Sequence, residues 1–175
     1  MHLGIRLALT MSMMAIAGQV PAYALGEAAV AKMKLVDGSE AGTISLSETN
    51  AGILIKFDLQ GLTPGPHAIH VHEAGKCEAD FASAGAIHNP LGAGHGFLNA
   101  EGPMNGDLPN IHAGSDGKSN GEILSQLLSL SKDSEDSIFD ADGAAFVIFE
   151  KADDHLSDPE GEAGARIACG VIDPK

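Results

Sequence analysis

The chain is divided into short β-type segments by turn residues, and this pattern limits its possible folds more than any other feature. Seven runs of apolar and β-branched residues are bounded by Gly, Pro, Asp or Asn, which is typical of an antiparallel sandwich or barrel. The apolar residues of one run, 122–130, also fit a helical spacing. The predicted strands are residues 28–36, 43–47, 52–59, 67–72, 122–130, 144–149 and 166–172.

Two long stretches between these strands, residues 73–120 and 151–165, are rich in Gly, Pro, Asp and Asn. Loops of this length in a compact domain are usually functional or disordered. Cys77 lies in the first stretch and Cys169 in the last strand, so a disulfide would tie the two together. We expect this disulfide in an exported chain, and two buried thiols are the alternative.

The first 24 residues have the features of a cleaved secretory signal. Arg6 precedes an apolar run at residues 7–17, and the segment ends in Ala22-Tyr23-Ala24. A membrane span needs about 20 continuous apolar residues, and this run is interrupted before it reaches that length. We therefore expect residues 1–24 to be removed and residues 25–175 to form a single exported domain.

The formal net charge of −14 restricts the partners of the protein. An acidic surface repels nucleic acids and anionic lipids. We therefore expect neither a nucleic acid nor a membrane surface among its partners.

Two histidines, His70 and His72, lie two residues apart on a predicted strand. Their side chains therefore point to one face of the strand, while Ile69 and Val71 point to the other. Further histidines follow in the first long stretch, at positions 88 and 95. Paired imidazoles with this spacing predict a metal or cofactor site, and the alternative is a polar rim without a ligand.

Five segments, in this order, resemble those of the bacterial copper/zinc superoxide dismutases. They are residues 65–73 (GPHAIHVHE), 83–90 (SAGAIHNP), 95–96 (HG), 106–110 (GDLPN) and 164–172 (GARIACGVI). The resemblance extends over most of the chain, from about residue 28 to residue 172. It implies an eight-stranded Greek-key β-barrel with copper and zinc held outside it by long loops, superoxide or another small redox ligand as partner, and a periplasmic location. Dimers are common in that family, so a homodimer is one arrangement that the resemblance allows.

Eight residues of this chain occupy positions to which the resemblance gives a role. They are His70 and His72 as copper ligands, His95 and Asp107 as zinc ligands, Asp153 as the carboxylate that joins the two halves, Cys77 and Cys169 as the disulfide, and Arg166 as the residue that guides superoxide.

Three further positions, at which the family has ligand histidines, are apolar here. Ile87 stands at the position that bridges copper and zinc, Met104 at a zinc position and Phe149 at the last copper position. A redox copper site in this family needs about four nitrogen ligands, and a zinc site needs four ligands. We therefore expect a partial, weak copper site and no standard zinc site. His88 follows Ile87 directly and would replace the bridging histidine if the loop slipped by one residue.

The apolar replacements allow two interpretations. In one, the site has packed itself and the protein is a non-enzymatic copper or haem carrier or a structural protein of this fold. In the other, Ile87, Met104 and Phe149 line a pocket for a replacement metal or a flat apolar cofactor such as haem, with residual superoxide dismutation. Haem would be bound non-covalently, because the chain has no Cys-x-x-Cys-His motif. The candidate haem or replacement ligands are His88, His112 and His155, and the last two are otherwise exposed histidines without a role.

The loop before Arg166 is unfavourable for an anionic substrate. Residues 153–162 contain five acidic residues and no lysine or arginine. Positive charge around the active site steers superoxide in the family that the chain resembles. Fast, steered dismutation is therefore not expected.

Overall fold

The computed structural model of the protein describes residues 27–175, and the predicted secretory signal lies outside these residues. The described chain is built from β-strands and one short 3-10 turn, Ala82–Ala84. Within it, no helix is long and apolar enough to cross a membrane. The strands are β1 Glu27–Leu35, β2 Glu40–Thr49, β3 Gly52–Leu59, β4 Gly65–His67, β5 Ile69–His72, β6 Ile111–Ala113, β7 Ser119–Ser125, β8 Ala145–Phe149 and β9 Arg166–Pro174.

Seven of the strands form one antiparallel sheet in the order β5-β8-β9-β1-β2-β3-β7, and β4 pairs with β6 in a second, two-stranded sheet. Only Ala68 separates β4 from β5, so these two strands are halves of one extended segment. A tight turn leads from β6 into β7, with Gly114 N–H donating to the Lys118 carbonyl at 2.8 Å. With β4 and β5 counted as one strand, the described chain has eight strands in a curled, antiparallel all-β structure, which confirms the predicted fold class.

The predicted strands agree with the observed ones except at two places. The predicted strand 122–130 begins and ends too far along the chain, because β7 begins at Ser119 and ends at Ser125. Beyond it, Leu128 and Leu130 are buried in the barrel core from a loop, which explains their apolar character without a strand. Strand β6 was not predicted, because its three residues lie inside the Gly-rich stretch and are too few to show the alternation of a strand.

Strand β8 is buried on both faces. Its inner face belongs to the barrel core, and its outer face lies at the candidate site. Phe146 and Ile148 belong to the barrel core, together with Ile69 and Val71 of the neighbouring β5. Val147 and Phe149 point the other way, as the alternation of a strand requires. They join a smaller outer cluster that the two long loops cover. The buried members of this outer cluster are Ala68, Phe81, Ala84, Ala145, Val147, Phe149, Ala163 and Cys169.

The predicted disulfide between Cys77 and Cys169 is confirmed, with the two Cα atoms 5.7 Å apart. It joins the first long loop to β9. Because Cys169 is itself part of the outer cluster, the bond fixes the loop directly over the outer face of β8.

Candidate metal centre

His70 and His72 share the outer face of β5, as their spacing predicts. Strand β5 pairs with β8 in register, with His70 opposite Val147 and His72 opposite Ala145. Both histidines are fully buried beneath the long loops. Their ring centroids lie 6.3 Å apart.

Hydrogen bonds fix the tautomer of each ring. Nε2 of His70 lies 3.0 Å from Asp153 Oδ2, and a carboxylate oxygen only accepts, so Nε2 carries the hydrogen. Nδ1 of His72 donates to the Gly85 carbonyl at 3.0 Å by the same reasoning. The remaining nitrogens, His70 Nδ1 and His72 Nε2, are buried and have no hydrogen-bond partner in the described chain. Each therefore presents an unused lone pair.

Burial also keeps His72 neutral. Removal of the ring from water outweighs its hydrogen bond to Gly85 and lowers the pKa of His72 to about 3, and the positive charge of Arg166 adds to the effect. A neutral imidazole is the form that binds a metal. His72 is therefore in its ligating form throughout the physiological pH range.

A second group of buried polar side chains lies beside His70. His95 Nδ1 is 2.8 Å from Asp107 Oδ1, and His95 Nε2 is 3.0 Å from Asp153 Oδ1. Both ring nitrogens face carboxylate oxygens and must donate, so His95 is an imidazolium. Burial opposes this charge, but the hydrogen bonds to Asp107 and Asp153 outweigh burial and raise the pKa of His95 to about 10. Potential ligand atoms of His70, His95 and Asp153 all lie within 4.8 Å of one another.

Asp153 links His95 to His70, because its two carboxylate oxygens accept from both rings. Its burial disfavours the charged form, but hydrogen bonds from His70 and His95 hold its pKa well below the ordinary value. The backbone of Asp153 is fixed by Asn110, whose side-chain amide exchanges two hydrogen bonds of 2.8 Å with it. Asn110 lies in the segment 106–110 that carried the resemblance, but this contact could not be predicted from the sequence, because the two residues are 43 positions apart.

Arg166 and an acidic residue share the cleft beside these histidines. The guanidinium donates to the carbonyls of Phe81 and Gly85 at 2.9 Å each, and to Glu160 Oε1 at 2.5 Å. The cleft has a volume of about 650 Å³. Its side-chain lining includes Glu73, Ile87, His88, Met104, Asp140, Glu160 and Arg166.

The sequence matches the family described as copper/zinc superoxide dismutase (SODC) over residues 40–172. The protein belongs to the copper/zinc superoxide dismutase family. It is 47% identical over 147 residues to a Cu-Zn superoxide dismutase of Caulobacter vibrioides, covering 82% of this chain and 84% of that protein. It is also 42% identical over 139 residues to the superoxide dismutase-like protein YojM of Bacillus subtilis, covering 78% and 71%.

Solved structures of this dismutase family have the same fold. A SOD-like protein from Bacillus subtilis superimposes with a TM-score of 0.79 and 40% identity, covering 85% of this chain and 99% of that one. Cu/Zn superoxide dismutase from Brucella abortus gives a TM-score of 0.66 and 33% identity, covering 82% and 98%. The residues that the resemblance assigns to the site can therefore be located in the structure.

Phe149 lies where the resemblance places a copper-ligating histidine of the dismutase family. Its fully buried ring is 5.3 Å from the ring of His70 and stacks at 5.8 Å on that of His72. The guanidinium carbon of Arg166 lies 5.9 Å from the centroid of the same ring. An apolar ring thus occupies the space between the two histidines and Arg166.

Ile87, which the resemblance assigns to the bridging position, forms an isolated backbone pair with His72. His88 donates its N–H to the Val71 carbonyl at 2.9 Å. Met104 donates its N–H to Asp107 Oδ2 at 2.9 Å and lines the cleft. The structure therefore brings all three apolar replacements to the site.

The other histidines lie at different distances from the site. His155 Nδ1 is 3.2 Å from Asp153 Oδ2, and its Nε2 accepts from the Asn110 amide at 3.1 Å, so it supports the Asp153 group. His112 is exposed on β6, opposite Pro66 of β4. His67 is buried at the barrel end, with its ring nitrogens 2.7 Å from the Phe149 and Thr63 carbonyls.

Gly161 is a residue of the site that the sequence analysis did not identify. Its φ of +63° lies in the left-handed region, and an added Cβ would overlap Asp153 Oδ1. A side chain here would therefore push Asp153 away from His70 and His95. A single glycine in a Gly-rich loop gives no sequence signal for such a contact.

Gly161→Ala is accordingly expected to lower the free energy of unfolding by more than Gly38→Ala. Gly38 also has a positive φ, +84°, but an added Cβ there meets nothing within 4 Å in the described chain. The backbone strain alone should cost about 1–2 kcal/mol, and the overlap with Asp153 should add roughly 1–3 kcal/mol. Denaturant unfolding of both variants measures the difference, and equal losses would show that Asp153 does not depend on this close approach.

Proposed function

We propose that this protein is an exported copper-binding member of the superoxide dismutase family that holds Cu(I) through His70 and His72. One observation carries the proposal: both side chains are fully buried, and each has one ring nitrogen with a lone pair and no partner in the described chain. Unpaired buried polar atoms cost roughly 1–3 kcal/mol each. A bound metal removes that cost.

The ligand set favours the reduced ion. Copper in the oxidised state takes a tetragonal set of nitrogen and oxygen ligands, whereas Cu(I) is satisfied by fewer, softer donors. His70 and His72 each offer one unpaired ring nitrogen, and the Phe149 ring lies beside both rings. Such a site holds Cu(I) well and Cu(II) poorly, so it does not support rapid cycling between the two states.

Bound copper would supply the one-electron exchange with superoxide on which dismutation depends. The residues of this chain favour only residual activity. Arg166, which would attract the anion, already pairs with Glu160 at 2.5 Å and donates to two carbonyls. Glu73 and Asp140 add further negative charge to the cleft, and this repels superoxide.

The residues present do not fit a zinc site. Zinc in proteins takes four ligands in a tetrahedron. Of the four matched positions, Ile87 has no donor atom and Met104 offers only a thioether, so His95 and Asp107 are the two that remain. We infer that the charged His95, with Asp107 and Asp153, ties the two long loops together in place of the metal.

Copper is favoured over haem by the packing of the apolar replacements. Phe149 is fully buried and Ile87 is 3% exposed, so both side chains are already enclosed by protein. A haem inserted beside His70 and His72 would have to displace them. A copper carrier without enzymatic activity fits the same site, and the predicted signal supports a periplasmic or secreted location for either protein.

The double variant His70→Ala/His72→Ala tests the proposal, with the exposed His112→Ala as the matched control. In competition with a chelator of known Cu(I) affinity, the double variant should lose at least about 100-fold in affinity at its tightest site, since loss of even an outer-shell partner of a metal site costs about 10- to 100-fold. His112→Ala should bind as the unaltered protein does. Unchanged Cu(I) affinity in the double variant, or a Soret band in the purified exported protein, would overturn the proposal.

A further inference from the structure

We propose that the cleft outside the buried histidine pair holds a second cation site, in which His88 Nε2 and the Met104 thioether bind a soft monovalent ion such as Cu(I) or Ag(I). The proposal adds to the proposed function and does not depend on it, because neither His70 nor His72 takes part. It rests on an unpaired nitrogen, on the charge of the cleft and on the kind of donor that lines it.

The unpaired nitrogen belongs to a side chain that is almost fully enclosed. His88 is 4% exposed, lines the cleft, and has an Nε2 without a hydrogen-bond partner in the described chain. A neutral imidazole carries one ring hydrogen, and with that hydrogen on Nδ1 the lone pair is on Nε2. Nε2 is left with a lone pair, which is the form that binds a cation.

The charge of the cleft selects for cations. Three carboxylate residues, Glu73, Asp140 and Glu160, line it. Arg166 is the one basic side chain among its lining residues, and Glu160 already neutralises it at 2.5 Å. A cleft of one charge sign with protein walls concentrates ions of the opposite sign. The net charge of the cleft therefore favours cations over anions.

The donor types select for a soft ion. Met104 brings a thioether to the same cleft, and thioether with imidazole favours Cu(I) over Mg²⁺ or Ca²⁺. Hard cations need several converging oxygens. Among the described residues, His70, His95 and Asp153 are the one group of three His, Cys, Asp or Glu side chains close enough to hold a metal ion together. The carboxylates near His88 therefore do not form a binding site by themselves. They attract the ion, and His88 with Met104 holds it.

Silver titration in chloride-free buffer tests the site. Ag(I) stays in one oxidation state and prefers the same donors as Cu(I). His88→Ala and Met104→Leu should each lose a full equivalent of bound silver, or bind it far more weakly, whereas His112→Ala should bind as the unaltered protein does. Unchanged silver binding in His88→Ala and Met104→Leu would overturn the proposal.

Nitrogen-15 spectra of the histidine rings provide a second readout, which observes His88 directly. Silver should shift the Nε2 resonance of His88, and it should do so also in His70→Ala/His72→Ala. A His88 resonance that does not move at saturating silver would contradict the outer site. Loss of the tightest Cu(I) site in His70→Ala/His72→Ala, with the His88 shift retained, separates the outer site from the proposed function, since each can fail without the other.

Discussion

Replacing Ile87, Met104 and Phe149 together with histidine is expected to raise superoxide dismutase activity at least about 100-fold and to give a protein that binds both copper and zinc. The three positions already surround the intact residues. Phe149 lies 5.3 Å from His70 and 5.8 Å from His72, and Ile87 pairs with His72. New imidazoles at these positions would complete four nitrogen ligands for copper, which the redox cycle requires.

The zinc half should be restored by the same change. A histidine at position 104 would stand next to Asp107, whose Oδ2 already accepts from the Met104 N–H at 2.9 Å.

Adding His70→Ala to the triple variant is the control, and it should return the activity to the starting level. Elemental analysis and a superoxide assay on the same preparation measure both effects. A triple variant that folds but gains neither zinc nor activity would show that the three apolar residues are not what separates this chain from a dismutase.

Loss of the disulfide is expected to be the largest single effect on stability. Cys77 and Cys169 are 92 residues apart in sequence, and closing a loop of that length in the unfolded chain is worth about 4–5 kcal/mol in the chain-entropy model. The bond also holds the loop whose Gly85 carbonyl accepts from both His72 and Arg166. Cys77→Ala/Cys169→Ala should therefore lose stability and metal affinity together.

Denaturant unfolding with and without a reducing agent measures this effect. The reduced protein and the double variant should show a similar loss, and the reducing agent should not change the variant further. A loss below about 1 kcal/mol in both would contradict the role of the bond in holding the loop.

The barrel and the paired histidines could be predicted because both depend on local spacing. Alternation along a strand sends Ile69 and Val71 into the core and His70 and His72 to the outer face, and it needs only consecutive residues. The positions of the strands followed from the same alternation and from the turn residues between them. Strand β6 was missed because three residues are too few to show alternation.

The surroundings of the histidines could not be predicted, because they depend on contacts between residues far apart in the chain. Asn110 fixes the backbone of Asp153 across 43 residues, and Arg166 donates to Phe81 across 85. Glu160 stood in the sequence as one acid among five, and only the fold places it against Arg166. The fixed tautomers of His70 and His72 likewise depend on partners in the loops.

Two buried histidines beside an apolar ring give the proposed site its chemical character. His70 and His72 each present an unpaired ring nitrogen, and Phe149 fills the space beside them. Arg166 is kept but neutralised, and the cleft that it shares carries three acids. Each of these features favours holding a cation over reacting with an anion.

Copper K-edge X-ray absorption, combined with elemental analysis, tests the central claim most directly. The exported protein is purified without chelators and examined with less than one equivalent of copper, so that the tightest site is filled first. The account predicts Cu(I) bound by two imidazole nitrogens, from His70 and His72, in a protein without stoichiometric zinc. Copper with three or four nitrogen ligands, or an equivalent of zinc beside it, would contradict the account.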